Sequence, residues 1–498
     1  MSAIITEKFR QHNANQFVES FTEAAANKYY LFLGKATGFT ASTTGGTDSS
    51  PPTPADSVKD EAFSWDSMLG AKVITSSDIK YSIPRRNWSN GATFDMYRHD
   101  YSSSNTTTSG SSDLFDSTFY FMTSDFRVYK VLDNNGGSAF SGSEPTSEST
   151  SPFASGGYVL KYMYTISTSD FSKFGTTDFI PVATDSTVSA AATDGKIESL
   201  VVTAGSGYTD GTYYAAVFGD GTNQGTSSGA IVRITVSSGA IVSFGLTAGT
   251  DTTIHAGGAG YTFGFVNLGD DYIFSDASLS SSASLGGGSG GAIEVIISPD
   301  GGHGSDAVQE LGGHFVMLAT TLTQAEGDDF TTANDFRSVG IVVDPTNFGT
   351  STVATASTRR QTYIVKVDTN SGTFEADERI TQATTGAVGK VVEFDSSLSL
   401  LYYQQEEFKG FGTNATTGGY VAFSGTNQIT GASSGATGTT AGTTETVTLA
   451  NANTVTLTSG YANPELAFPS GNIIYLENRK PIQRASDQTE DIKVIIEF

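Results

Sequence analysis

AGSGYT at Ala204–Thr209 returns as GGAGYT at Gly257–Thr262, and ITQATTGAVG at Ile380–Gly389 returns as ITGASSGATG at Ile429–Gly438. These two duplications constrain the fold more than any other feature of the chain. Glycines in the first pair let the backbone turn with positive φ while the tyrosine covers the turn, which is how a small repetitive β unit closes. Two different repeats mark two inserted glycine-rich β modules, at 196–290 and at 362–447. Two copies of each are too few for a solenoid, which needs at least about three. At roughly 100–200 residues per domain, 498 residues predict about three domains. The 56 glycines and the 16% charged content suit many turns and solvent-facing strands, so the composition leans all-β.

Outside the modules the pattern is denser. A strand is expected at Thr6–Arg10, then a helix whose apolar face is Ala14, Phe17, Val18 and Phe21, then a buried strand at Tyr29–Leu33. A second helix begins near Ser57, whose hydroxyl can cap it with Asp60 three residues on, and Val58, Ala62, Trp65 and Leu69 form its inner face. Strands follow at Phe119–Met122, Arg127–Leu132, Tyr158–Ile166 and Phe179–Val182, with Ser102–Ser112 as an exposed loop. Between the modules, 291–345 carries a strand at Ala292–Ile297 and a helix from Ser305 to about Ala319. The last segment, 460–498, has strands at Asn472–Leu476 and Ile492–Phe498 around the polar run Glu477–Glu490, and a chain that ends in a strand is tied into a sheet. The expected fold is mainly β with a few short helices: a multi-domain, β-sandwich-like core made of 1–190, 291–345 and 460–498, interrupted by the two modules.

Charge narrows the function. Lys and Arg total 27 against 52 Asp and Glu, a net charge of −25. A nucleic-acid duplex or an anionic membrane repels such a surface, and no long Lys/Arg run gathers the cations into a patch. There is no cysteine, which removes disulfides, thiolate nucleophiles and cysteine-ligated zinc. No stretch approaches the ~20 apolar residues of a membrane span, and the start MSAIITEKFRQ has no apolar h-region, so a soluble chain in a reducing cytosol is expected.

Motifs of catalysis or metal binding fare poorly. GxSxG occurs around Ser227, Ser289 and Ser433, each in a low-complexity turn, whereas a nucleophile elbow needs a buried strand before it, a helix after it and a partnered histidine. GGHGSDAVQ at Gly301–Gln309, with His303, Ser305 and Asp306, fits one calcium nonapeptide, but such β-rolls need tandem copies; a turn leading into a helix is the better reading. Asp328-Asp329 and Glu406-Glu407 are adjacent on the chain, so on a strand they point to opposite faces and cannot flank one sugar. His12, His99, His255 and His314 show no metal-ligand spacing. Asn87, Asn105 and Asn414 match the glycosylation sequon, which means little without a secretory signal. No enzyme activity, cofactor or metal is expected. Arg85, Arg86 and Trp88, in SIPRRNW at Ser82–Trp88, read equally as an interface anchor and as an intramolecular salt bridge with the tryptophan in the core.

The ends of the chain carry a family resemblance. IIYLENRKPIQRASDQTEDIKVIIEF at Ile473–Phe498, with ENR-P at Glu477–Pro481 and DQTE at Asp487–Glu490, resembles the C-terminus of a baseplate wedge subunit of T-even-type contractile-tailed phages. SIPRRNW, PADSV at Pro54–Val58, and TEKFR at Thr6–Arg10 are similar to the same family's N-terminal half, in the same order. The resemblance covers roughly the first 180 and the last 30 residues, and more loosely 291–345; the glycine-rich texture between is similar to that of marine cyanobacterial myovirus relatives. It implies a mostly β virion protein of the tail baseplate, assembled in the host cytoplasm. It implies a homodimer within each wedge that contacts other wedge subunits, with tail-fibre attachment proteins as further partners, and no catalysis. Arg85, Arg86, Trp88, Tyr475, Glu477, Asn478, Arg479, Pro481, Asp487 and Gln488 are the candidates for fixing its core or interfaces. The rival reading is a receptor-binding or glycan-degrading tail fibre or spike, whose signature would be a long repeat array or a coiled-coil heptad; neither is present.

Overall fold

The computed structural model describes residues 4–23, 27–40, 45–323, 330, 334–406, 420–449, 452–483 and 489–498. It is mainly β with a few short helices, as the composition predicts. The chain divides into two compact units, one made of Met1–Gln16, Lys80–Met317 and Ile495–Phe498, the other of Phe17–Ile79 and Leu318–Val494.

The first unit has two apolar cores. One surrounds an antiparallel sheet in the order Tyr120–Met122, Arg127–Asp133, Tyr158–Thr165, Phe153–Ser155. All of Tyr158–Thr165 is buried except Thr165, the mark of a strand covered on both faces. Aromatic rings fill the space around it edge to face, as Phe121 does against Phe140 with centroids 6.0 Å apart. The second core lies under the first glycine-rich module and gathers Leu200, Val217, Val232, Ile234, Tyr261, Ile273 and Val295. Its sheet is built on Gly211–Gly219, where Tyr213, Ala215 and Val217 face the core and are buried, while on the other face Tyr214 and Phe218 are half-buried and only Ala216 is buried.

The first duplication repeats a local geometry. Gly205 and Gly258 both have positive φ, +62° and +60°, and a Cβ on either would lie 2.7 Å from the ring of the tyrosine three residues on, Tyr208 or Tyr261. Both tyrosine hydroxyls accept a backbone N–H, from Gly291 at 2.9 Å and from Ala230 at 3.1 Å. Each tyrosine thus covers a glycine turn, as the hexapeptides predict, and satisfies a backbone donor brought in from elsewhere.

In the second unit a five-stranded antiparallel sheet runs in the order Thr358–Arg360, Met68–Ile74, Tyr29–Gly34, Phe336–Val343, Asn472–Ile482. Tyr29–Gly34 and Phe336–Val343, the third and fourth strands, are buried along their whole length, the mark of strands covered on both faces. Gly340 is opposite Phe32 in the register, and a Cβ there would come within 2.2 Å of the Phe32 ring, so only glycine fits. An eight-stranded sheet takes up the second glycine-rich module. Ile380 pairs with Gly389 in one repeat and Ile429 with Gly438 in the other, so the two ten-residue segments are hairpins of one register. They also pair with each other, Thr381 opposite Thr430 and Ile380 opposite Gly431.

Four local expectations are corrected. Thr6–Arg10 is the start of the helix Glu7–Glu19, not a strand: Thr6 takes the capping role, its hydroxyl and carbonyl accepting the Phe9 amide hydrogen at 3.3 and 2.9 Å. The helix expected from Ser305 to Ala319 is only Ala307–Glu310 and gives way to the strand Phe315–Leu322. Gly312, at φ +80° and packed against Phe115, ends it, and the Gly313 amide closes back on the Val308 carbonyl. Val58 is not on an inner face; it is 82% exposed at the first position of Val58–Ser67, although Ser57 caps that helix through the Asp60 amide as predicted. The strand Asn472–Ile482 runs well into the segment taken as polar, because Phe336–Val343 pairs with it as far as Ile482. The last strand, Glu490–Glu497, lies beside Phe315–Leu322.

Candidate assembly surfaces

Asn472–Ile482 is an edge strand. Phe336–Val343 pairs with one side of it, and its other side has no backbone partner among the described residues. Five sequence candidates lie on it. Asn478 is tied inward, accepting from the Ser338 hydroxyl at 2.8 Å and donating to the Pro52 carbonyl at 3.0 Å. Tyr475 donates to Glu477 at 2.8 Å, and Arg479 stands 3.6 Å from the same carboxylate. Burial and the neighbouring Glu477 both hold the Tyr475 phenol above its ordinary range. The three side chains form a half-exposed row along the strand, and Pro481 follows near its end, where an N–H is missing from the edge. Asp487 and Gln488 lie outside the described residues, as do Asp328, Asp329, Glu407 and Asn414.

Arg85, Arg86 and Trp88 are engaged within the first unit. Arg85 donates to the Thr176 carbonyl at 2.8 Å and to Asn87 at 3.0 Å, with its guanidinium 5.3 Å from the Phe171 ring centre. Arg86 donates to the Phe115 carbonyl at 2.9 Å and lies 4.5 Å from the centre of the Tyr120 ring. Trp88 packs edge to face on Phe140. The arginines therefore hold carbonyl oxygens and ring faces rather than a carboxylate. They brace the strand Ile79–Pro84 and its extension, where the Met122 amide donates to the Arg86 carbonyl and the Trp88 amide to Met122.

Sequence reasoning missed a group of ionisable side chains inside the same unit. Lys130 forms an ion pair with Glu310, both side chains shut off from solvent. Glu310 also accepts the Gly304 and Asp306 amides at 2.7 and 3.2 Å, so one carboxylate ties down the Gly301–Gln309 turn. His303 is 1% exposed, stands 4.9 Å from Tyr97 ring to ring, and neither of its nitrogens has a partner among the described residues. Burial, reinforced by Lys130, Lys161 and Lys196, drives its pKa well below the histidine range. Burial also lowers the Lys130 and Lys161 ammonium groups, against the pull of Glu310 and Glu198. The available signal was a lysine in the middle of each of two apolar strands, RVYKVLD and YVLKYMYT. The serines of the three GxSxG matches lie elsewhere: Ser227 is in an exposed turn, Ser289 opens a strand, and Ser433 donates its amide to Glu378.

The family model described as bacteriophage T4 Gp8 matches residues 3–143 and 443–498, about two-fifths of the chain. Both ends of this chain are Gp8-like. The match supports a T4-like baseplate wedge subunit, the family that the same end segments resemble. Among curated proteins no relative matches. The Gp8-like segments contain SIPRRNW and the whole of Asn472–Ile482, whereas both repeat hairpins of the second module and all of the first module lie outside them.

Proposed function

We propose that the chain is a structural subunit of a phage tail baseplate wedge that enters the particle as a homodimer and is held there by neighbouring wedge proteins. The Gp8-like match at both ends carries this reading. In the second unit, Tyr29–Gly34, Met68–Ile74 and Asn472–Ile482 supply three of the five strands of one sheet from matched segments, so the matched sequence corresponds to folded scaffold. The role is assembly by surface complementarity rather than catalysis. In this reading Arg85, Arg86 and Trp88 stabilise the scaffold from within, while Tyr475, Glu477, Arg479 and Pro481 face partners along the open edge. The subunit is made in the host cytoplasm and ends in the virion of a myovirus of the cyanophage type, with tail-fibre attachment proteins as outer neighbours.

The test is the absolute mass of the purified chain by light scattering after size-exclusion chromatography, followed by mixing with the other wedge proteins of the same phage. A dimer that joins those proteins in a discrete complex supports the proposal. A trimer that ignores them and binds or cleaves glycans would establish the tail-fibre reading instead.

A further inference from the structure

Beside the open edge runs a groove walled by Pro54, Ala55, Asp56, Ser57, Val58 and Glu61 on one side and by Ile473–Leu476 on the other. Three observations describe what fits it. Along it Asn472–Ile482 has no backbone partner on its outer side among the described residues, and beyond the register shift at Ile474 the stretch from Tyr475 to Asn478 is free to pair with another extended chain. Two large apolar side chains face solvent beside it, Val58 at 82% and Ile474 at 48% exposure. The charged residues lining it are Asp56 and Glu61, both exposed, and neither is ion-paired among the described residues. Single exposed apolar residues are ordinary, but two of them flanking a free strand edge are not.

We propose that this groove is a strand-addition site for an extended segment of another protein, one that carries apolar side chains and lysine or arginine on the same face. The backbone of the guest extends the five-stranded sheet beyond Asn472–Ile482, its apolar residues cover Val58 and Ile474, and its cations meet Asp56 and Glu61. The carboxylates set the choice of occupant. A chain with 52 acidic and 27 basic residues makes a second copy of itself the wrong charge for the rim, whereas a basic strand is drawn to it. The inference rests on the reading of this edge as partner-facing, and its failure would leave the subunit's mass as it is.

The probe is a fluorescent peptide, acetyl-Thr-Lys-Thr-Val-Thr-Lys-Thr-Val-amide, whose lysines and valines share one face, titrated with the full chain and followed by anisotropy at low and moderate salt. Its controls carry glutamate for both lysines, or proline for the central threonine. The lysine peptide should bind at least about tenfold more tightly than either control, with the margin over the glutamate peptide shrinking as salt rises. Asp56→Lys with Glu61→Lys should turn the preference towards the glutamate peptide, and Val58→Ser should weaken both peptides. All three positions are exposed, so these variants fold as the parent does. Equal binding of the three peptides, or an unchanged preference in the charge-reversed variant, overturns the proposal. So does a dimer of the chain that Val58→Ser dissolves, since a second copy would then occupy the groove.

Discussion

Lys130 and Glu310 lie 180 positions apart in the chain and meet as an ion pair from which solvent is wholly excluded. Removing one partner leaves the other charged and buried, which costs about 3–5 kcal/mol. Glu310→Gln should therefore lower the melting temperature of the first unit by roughly 10 °C, since 1 kcal/mol corresponds to about 2–4 °C in a unit of this size. Adding Lys130→Met should restore most of that loss, because the glutamine still accepts the Gly304 amide and no lone charge remains. Differential scanning calorimetry of the two variants checks both statements; equal melting of the single and double variants would show that the charge pair is not what matters.

His303 gives a pH dependence whose sign is fixed by its surroundings. Its pKa in the folded chain is depressed, while in the unfolded chain it is near ~6.5. The unfolded state therefore binds the extra proton below that value. Stability should be undiminished above pH ~6.5 and fall on acidification by up to about 1.4 kcal/mol per pH unit from this one group. Carboxylates add their own slope, so the informative quantity is the difference from His303→Phe, which keeps a ring against Tyr97 and cannot take up a proton. Denaturant unfolding from neutral to mildly acidic pH should show the gap in favour of the variant widening as pH falls.

The glycine turns of the first duplication can be tested against a control in the same unit. At Gly205 a Cβ would meet the Gly291 nitrogen at 2.4 Å as well as the Tyr208 ring, and at Gly258 it would meet the Ala230 nitrogen at 2.9 Å and the Tyr261 ring. At Gly136, also with positive φ, it would meet nothing within 4 Å. Gly136→Ala should cost only the backbone strain of about 1 kcal/mol. Gly205→Ala and Gly258→Ala should each cost clearly more, by loss of the tyrosine cover. Thermal melting of the three variants orders them.

In the second module Glu378 reaches across to the turn of the other repeat, accepting the Ser433 and Ser434 amides at 3.0 Å each and the Ser434 hydroxyl at 2.7 Å. Burial alone would raise this carboxyl, but these bonds and one from the Glu375 amide outweigh it and the pKa is lowered. Its stabilising effect is then present above the ordinary glutamate range and lost as pH falls through the lower folded value. Glu378→Ala should cost about 2 kcal/mol, and hydrogen exchange should show the Ser433 and Ser434 amides losing protection while Leu401, in the core of the sheet, keeps its own.

What could be read from the sequence follows the range of the forces involved. Strands such as Arg127–Asp133 and Tyr158–Thr165 show through their own composition, and the tyrosine-covered turns through glycine spacing, because both depend on neighbours a few residues away. The misread elements turned on competition between equally local signals. Thr6 and Phe9 suit a strand by propensity, yet the Thr6 cap wins, and the helix expected from Ser305 to about Ala319 stops at Glu310, short of Gly312. The site candidates divide the same way. The half-exposed row of Tyr475, Glu477 and Arg479 follows from alternation on one strand, but that the strand is an edge depends on Phe336–Val343, more than a hundred residues away. Nor does composition reveal that Lys130 finds its one carboxylate at Glu310.

An edge that can accept the right strand can also accept the wrong one, and growth of such pairing without limit is how fibres begin. Asn472–Ile482 limits that hazard in its own sequence. Between Asn478, opposite Ser338, and Ile482, opposite Phe336, the register shifts, so the edge bends away from a flat ladder. Arg479 and Lys480 put two exposed cations at that bend, and Pro481 withholds a donor just beyond them. A second shift, between Tyr475 opposite Ile341 and Ile473 opposite Val342, leaves only Tyr475–Asn478 as an unbroken stretch, too short to seed an open-ended stack.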